Sequence, residues 1–287
     1  MPTVNEPDNN DYFIDAESAT EMARLIEQER FITSAMGGLF AERSDIATMR
    51  SILDLGCGPG EWARDVALEY PEINVTGIDI SKTMVQYASA HAKVKNLDNV
   101  SYEVMDISEP LAFPDNSFDL VNGRLIAFLS PEKWASLVGE CMRIVRPGGV
   151  IRLTENEVVT TNPATDTAFS LFYQAMTRAR QSFSPTGRVL GITSRLGHLL
   201  KNAGCTDIGY RAHALDFSAG TEIHDNFTEV ALVFLTLMQP FLVSVGVTTQ
   251  EEHQDLLQKM QMEMYSDDFS AVMFLLTAWG TKPQDAS

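Results

Sequence analysis

The stretch Ser51-Ile52-Leu53-Asp54-Leu55-Gly56-Cys57-Gly58-Pro59-Gly60-Glu61-Trp62 constrains this chain more than any other. An apolar run holding Asp54, three glycines within five residues, and then helical spacing from Glu61 to Tyr70 predict a strand, a tight turn and a helix. Glycine is needed where the backbone takes dihedrals closed to other residues, and where a ligand approaches main-chain atoms that a Cβ would shield. The helix that follows offers unpaired N–H groups and the positive end of its dipole. The turn is of a nucleotide-binding type.

The spacing narrows which nucleotide. A dinucleotide fingerprint places glycines at the first, third and sixth positions of its turn; here Gly56 and Gly58 fit, the sixth position is Glu61, and the third glycine is Gly60. A carboxylate beside the N–H groups that hold a pyrophosphate would repel it, whereas a ligand with an ammonium or sulfonium group is attracted to Asp54 and Glu61. An NAD-linked oxidoreductase is disfavoured on that ground. Asp54-Leu55-Gly56-Cys57-Gly58-Pro59-Gly60 resembles the first motif of class I S-adenosylmethionine-dependent methyltransferases. The resemblance implies that Asp54, Gly56, Cys57, Gly58 and Gly60 form the first part of a site for that cofactor.

Further along, Ile73 to Asp79 reads as a second strand ending in an acid, followed by a helix from an N-cap at Ser81 to about Lys95. An acid there lies where a ribose sits and accepts from both hydroxyls, so Asp79 is the second cofactor contact, with Ile80 packing on the adenine. Val100 to Asp106 reads as a third strand, and Asp106-Ile107 resembles the family's adenine-binding pair. Phe113 to Val121 supplies a turn and a fourth strand that delivers Asn122-Gly123-Arg124-Leu125 to the methyl group, Asn122 on the cofactor side. Relatives that methylate adenine bases or glutamine amides carry Asn/Asp-Pro-Pro-Tyr/Phe here, and this departure counts against such targets. Arg124 either orients an acidic group of substrate or cofactor or forms a salt bridge.

Ser130-Pro131 opens a helix with the apolar face Trp134, Leu137, Val138, Cys141 and Val145, and Arg146 to Thr154 turns into a fifth strand. Residues 165 to 183 have helical spacing, broken at Ser184-Pro185-Thr186-Gly187. A helix from Thr193 to Ala203, a strand near Asp207 to Phe217 and a last strand in Ala271 to Trp279 complete the layout. Between the last two strands lies a helix-rich insertion, Glu222 to Tyr265, in which Val230 to Gln250 carries no charge. A membrane span needs about 18 apolar residues, and Gln239-Pro240 interrupts this run while Glu229, Glu251 and Glu252 flank it with acids. We expect two helices meeting at the proline that complete the core, cover an apolar substrate, or join two copies in a homodimer. Met260, Met262 and Met264 add an adaptable wall.

Ahead of the core, residues 1 to about 11 read as a disordered lead, and Ala16 to Met36 as a helix stopped by Gly37-Gly38. The resemblance makes this helix a lid over the cofactor, with Tyr12, Phe13 and Met36 as contacts. Candidate general bases are Glu155 and Glu157 near the fifth strand's end, Glu155 first, and His213 and His224 further on. The catalytic set is therefore Glu155, His224 and Arg124. No spacing suggests a metal.

Composition closes the reading. At 287 residues, 45% hydrophobic and 21% charged, the chain is globular, and its net charge of -18 opposes docking on nucleic acid phosphates. Cys57, Cys141 and Cys205 make no disulfide framework, and the N-terminus shows no secretory signal, so a cytoplasmic setting is expected. The fold expected is α/β, a doubly wound, seven-stranded Rossmann-like methyltransferase sheet with its last strand antiparallel. Its parts are an N-terminal tail and lid over 1–44, a cofactor-binding core over 45–220 plus 270–282, and a helical cap or subunit contact over 221–269. The function expected is S-adenosylmethionine-dependent O-, C- or N-methylation of a small, partly apolar acceptor, similar to enzymes of quinone and secondary-metabolite biosynthesis. A lyase or cyclase that keeps the cofactor, and a non-catalytic cofactor-binding protein, remain alternatives.

Overall fold

The structure, a computed structural model, describes residues 12–284. The lead expected over residues 1 to about 11 lies outside them. Helix α1 (Ala19–Ala35) starts behind Ser18, whose hydroxyl accepts the Glu21 N–H at 3.4 Å, and stops before Gly37 and Gly38, both at positive φ. There follow β1 (Ser51–Leu55), α2 (Glu61–Glu69), β2 (Asn74–Asp79), α3 (Lys82–Val94), β3 (Val100–Val104) and β4 (Phe118–Arg124). The chain goes on through α4 (Pro131–Ile144), β5 (Val145–Thr160), α5 (Pro163–Arg178), α6 (Leu196–Asn202) and β6 (Thr206–Asp216). Three helices, α7 (His224–Leu237), α8 (Gln239–Ser244) and α9 (Gln250–Met264), precede β7 (Ala271–Thr281).

The strands form one seven-stranded sheet in the order β3-β2-β1-β4-β5-β7-β6. Pairs from β3 through β5 are parallel, and β7 runs antiparallel to both of its neighbours. Ile52, Leu53, Leu120, Val121 and Ile151 are fully buried, as expected of central strands covered on both faces by helices. The order reverses between β1 and β4, and a crevice opens there at the carboxyl ends of the strands, the usual ligand position in open α/β sheets.

Two boundaries and one residue's role differ from the sequence reading, each for a local reason. β5 continues past Thr154 to Thr160 because β7 pairs with it residue for residue as far as Thr160↔Ala271. Helix α5 ends at Arg178, and Arg180 at φ 60° turns the chain away before residue 183. Met36 is 2% exposed within the apolar core, so it is a packing residue and no lid contact. The uncharged run of 230–250 divides as expected: α7 ends at Leu237, and Pro240 sits in the first turn of α8, where its missing N–H costs nothing. Among the described residues no helix is long and apolar enough to cross a membrane.

Candidate active site

At the tip of β1 the chain turns through Gly56 and Gly58 at φ +60° and +52°. A Cβ on Gly56 would lie 2.9 Å from Ile126 Cγ2, and one on Gly58 would meet nothing nearer than Leu25 at 3.6 Å. The turn is clamped to β2. Cys57 N–H donates to the Ile78 carbonyl at 2.9 Å, and Gly58 N–H donates to Asp79 Oδ2 at 2.8 Å. Asp79 Oδ1 accepts the Ser81 N–H at 2.9 Å, and burial pushes the Asp79 carboxyl upward against these backbone bonds.

Gly60 is glycine for a different reason, since it does not line the cleft. Its φ is +79°, and a Cβ would lie 2.6 Å from Tyr102 Cε1 and 2.7 Å from Ala88 Cβ. Gly60→Ala is expected to destabilise the fold by about 1–3 kcal/mol, read as a lower urea midpoint at unchanged slope.

Asp54 is buried at the head of a polar chain. Asn122 donates its amide to Asp54 Oδ1 at 2.8 Å and accepts from Arg152 Nη1 at 2.7 Å, and Arg152 in turn pairs with Glu42, both fully buried. Burial pushes Asp54 up to about 7, against the pull of Arg124 and the Asn122 hydrogen bond. Asn122 thus holds Asp54 from behind and does not line the cleft. Asn122→Ala would leave Arg152 and Asp54 each short of a buried partner, at about 2–4 kcal/mol in urea unfolding, and would weaken cofactor binding through Asp54.

The cleft in front of these groups is lined by Asp54, Gly56, Cys57, Gly58, Asp79 and Ile80, and a side recess by Asp106 and Ile107. Four carboxylates line it, Glu29, Asp54, Glu61 and Asp79, against one guanidinium, Arg124. Two of these acids are engaged: Glu61 pairs with Arg64, and Glu29 on α1 pairs with Arg124, whose guanidinium lies 5.5 Å over the Trp62 ring. Arg124 is therefore a buried ion-pair partner at the cleft wall. Helix α1 closes the opposite side. The Glu17 carboxylate accepts the Lys82 and Thr83 N–H groups at 2.9 and 3.0 Å and fastens the segment before α1 to the start of α3. Tyr12 lines both cleft and recess.

Residues 52–149, covering β1 to the start of β5, match the family model described as "Methyltransferase domain". Over those residues the chain is similar to a methyltransferase domain. It is 34% identical to the 27-O-demethylrifamycin SV methyltransferase of Amycolatopsis mediterranei over 46% of this chain and 47% of that one. It is 38% identical to the nocamycin O-methyltransferase of Saccharothrix syringae over 36% of each. The chain thus spans less than half the length of the curated relatives it matches. A chain in the complex of the Haloferax volcanii Trm112 methyltransferase activator superposes at a TM-score of 0.53 with 18% identity, covering 94% of this chain and 99% of that one. That likeness establishes the fold.

Behind the cleft lies a second space. Tyr12, Leu25, Gln28, Leu125 and Phe128 line both, so the two adjoin. The chamber is walled by Phe13, Phe31, Phe169, Phe172, Tyr173, Phe227 and Phe234, from the lid segment, α1, α5 and α7. Its dividing wall is the turn at Leu125 and Ile126. Leu125 holds φ 55°, a left-handed conformation that costs a non-glycine residue about 1–2 kcal/mol. Two bonds from β5 impose it: Leu125 N–H donates to the Thr154 carbonyl at 2.9 Å, and Ile126 N–H donates to Glu155 Oε1 at 2.8 Å. Glu155 is fully buried, its Oε2 has no partner, and burial pushes its carboxyl up to about 8.

The other candidate bases are engaged elsewhere. Glu157 accepts the Gly191 N–H at 2.8 Å and the Leu190 N–H at 3.2 Å, tying down the loop before α6. His224 lines neither space; its Nδ1 lies 2.9 Å from the Phe217 carbonyl, and its ring packs beside Phe269. His213 sits on the edge strand β6, also outside both. Sequence reasoning brought Leu125 to the site without a role, and missed Phe128 and the aromatic residues of α5 and α7 as chamber walls. Their only signal was apolar spacing, which core and substrate walls share.

Proposed function

We propose that this protein is an S-adenosylmethionine-dependent methyltransferase acting on a small, partly apolar organic acceptor. One observation carries the proposal: a cleft rimmed by Asp54 and Asp79, with Asp106 in its side recess, adjoins an aromatic chamber across the Leu125 and Ile126 wall. The residues fit the cofactor. Asp54 and the acid surplus suit an ammonium and a sulfonium; Asp79 has lone pairs for two ribose hydroxyls; Asp106 and Ile107 suit an adenine edge. When bound, the cofactor supplies a methyl group made electrophilic by positive sulfur.

The chain then has to hold an acceptor atom in line, exclude water and take up a proton. The lid segment with Tyr12 and Phe13, helix α1 and helices α5 and α7 enclose the chamber. Glu155 Oε2 is the atom for the proton, because it is a buried oxygen without a partner on a residue that lines the chamber. Arg124 acts as a positioning residue that joins lid to sheet through Glu29, and His224 has no part. On this reading 1–44 are the N-terminal tail and lid helix, 45–220 with 270–282 the core, and 221–269 the cap. The apolar side chains of α7, Phe227, Val230, Ala231 and Leu235, point inward, which favours a cap over a homodimer contact. The names of the relatives, a rifamycin and a nocamycin methyltransferase, support a small-molecule acceptor. The three free cysteines fit the cytoplasm.

Incubation with radiolabelled S-adenosylmethionine and a set of hydroxylated aromatic acceptors tests this. Acceptor-dependent formation of S-adenosylhomocysteine is expected. Acceptor conversion with the cofactor left intact would make the sulfonium a mere charge and the protein a lyase or cyclase.

A further inference from the structure

The chamber's charge and its single orphaned oxygen say which acceptors belong there. Arg24 is the one cation among its described lining residues, and each of its three nitrogens already has a partner. Its Nε and Nη2 donate to the two Glu21 oxygens at 2.7 and 2.6 Å, and its Nη1 donates to Gln28 at 2.7 Å. Glu21 also accepts from the Tyr12 hydroxyl at 2.5 Å, and Arg24 stacks 5.3 Å from the Phe234 ring. No positive charge is left over for an acidic ligand. A carboxylate or phosphate in the chamber would lose its water, gain no counter-ion, and face Glu155 with Glu157 on the same strand behind it. The net charge of -18 repels anions before they arrive.

What the chamber offers instead is flat apolar surface and, on Glu155, a buried acceptor oxygen without a partner. Phe13 and Phe172 meet edge to face at 6.1 Å, Phe172 and Phe234 at 5.3 Å, an arrangement that leaves ring faces and edges for a further ring. Glu155 Oε1 is committed to the Ile126 N–H, so the carboxyl cannot swing away, and Oε2 stays fixed beside the wall that borders the cleft.

Resting on the methyltransferase reading, we infer that the acceptor is an uncharged aromatic molecule whose ring hydroxyl bonds Glu155 Oε2, and that acids and phosphate esters are excluded. The hydroxyl hydrogen points at Oε2, and the oxygen lone pairs face across Leu125 and Ile126 toward the cleft. Glu155 is thus a specificity residue as well as the proton acceptor.

Ligand-observed NMR on the full chain, saturated with S-adenosylhomocysteine and held at about pH 9 so that Glu155 is ionised, tests this with phenol, anisole, benzoate and phenyl phosphate. Phenol is expected to bind about tenfold or more tightly than either anion, the penalty of an unpaired buried charge. Glu155→Gln keeps the Ile126 bond through its carbonyl but presents an amide in place of Oε2. The preference for phenol over anisole should fall about fivefold or more in that variant, because only the carboxylate accepts from the hydroxyl. Benzoate or phenyl phosphate binding as well as phenol, an unchanged phenol-to-anisole ratio in folded Glu155→Gln, or no ring probe binding at all would overturn the inference. A calorimetric titration of S-adenosylhomocysteine alone comes first. Absence of heat there would refute the cofactor reading itself, and the inference with it.

Discussion

Asp79→Ala should lower affinity for S-adenosylmethionine and S-adenosylhomocysteine by about 10²–10³-fold in isothermal titration, from two charge-assisted hydrogen bonds lost to the ribose. The expectation is large because the carboxylate does two jobs. It faces the cleft at the tip of β2, and it also accepts the Gly58 and Ser81 N–H groups at 2.8 and 2.9 Å. Alanine therefore removes the ligand contact and frees the glycine turn that shapes the site. Asp79→Asn separates the two effects: its one oxygen retains a backbone bond and a neutral acceptor, so an intermediate loss is expected. Melting temperatures for both variants, taken without ligand, check that the chain remains folded. Unchanged affinity in folded Asp79→Ala would remove Asp79 from the site.

The cofactor side of this site was legible in the sequence because each of its residues sits where a local rule fixes it. Strand tips, glycine turns and N-caps are set by neighbours within a few residues, and the doubly wound seven-stranded layout came from the family resemblance, which the repeated strand and helix pattern supports. Asp54 and Asp79 lie at the tips of β1 and β2, whereas β3 ends at Val104 and Asp106 follows it in the loop. Residues whose roles come from distant partners were not legible. Asn122 sits at a strand end but faces Asp54 and Arg152, so it supports the cleft from behind. Gly60 follows the motif, yet its need for a hydrogen side chain comes from Tyr102, 42 residues away. His224 was an open candidate until the fold put the Phe217 carbonyl on its ring. The chamber is assembled from segments as far apart as Phe13 and Met273, joined only when β7 pairs with β5.

The methyl-transfer rate should rise with pH about tenfold per unit up to about 8 and level off above it, and Glu155→Gln should be flat across that window. The sign follows from the base having to be ionised: below about 8 the buried carboxyl holds its proton and cannot take another. On the plateau, loss of the base should cost about 10²–10⁴-fold in kcat/KM, with the gap narrowing as pH falls. The groups facing Glu155 are Glu157 on its own strand, Tyr173 from α5, and Tyr12 and Arg24 from the lid, the last neutralised by Glu21. Of these, Glu157 adds to the upward shift that burial begins. A stability measurement gives the same answer without turnover. The folded protein holds the Glu155 proton up to about 8, whereas the unfolded chain releases it near 4.5, so the stabilisation is complete below 4.5 and lost by about 8. The melting temperature of the wild type should therefore drop relative to Glu155→Gln as pH rises from 5 to about 8, because the amide has no proton to lose. A wild-type rate profile already flat below 8, together with parallel melting curves for the two proteins, would mean that Glu155 is ionised throughout and acts only as the bracket for Ile126. In that case the acceptor would have to reach the cleft already deprotonated.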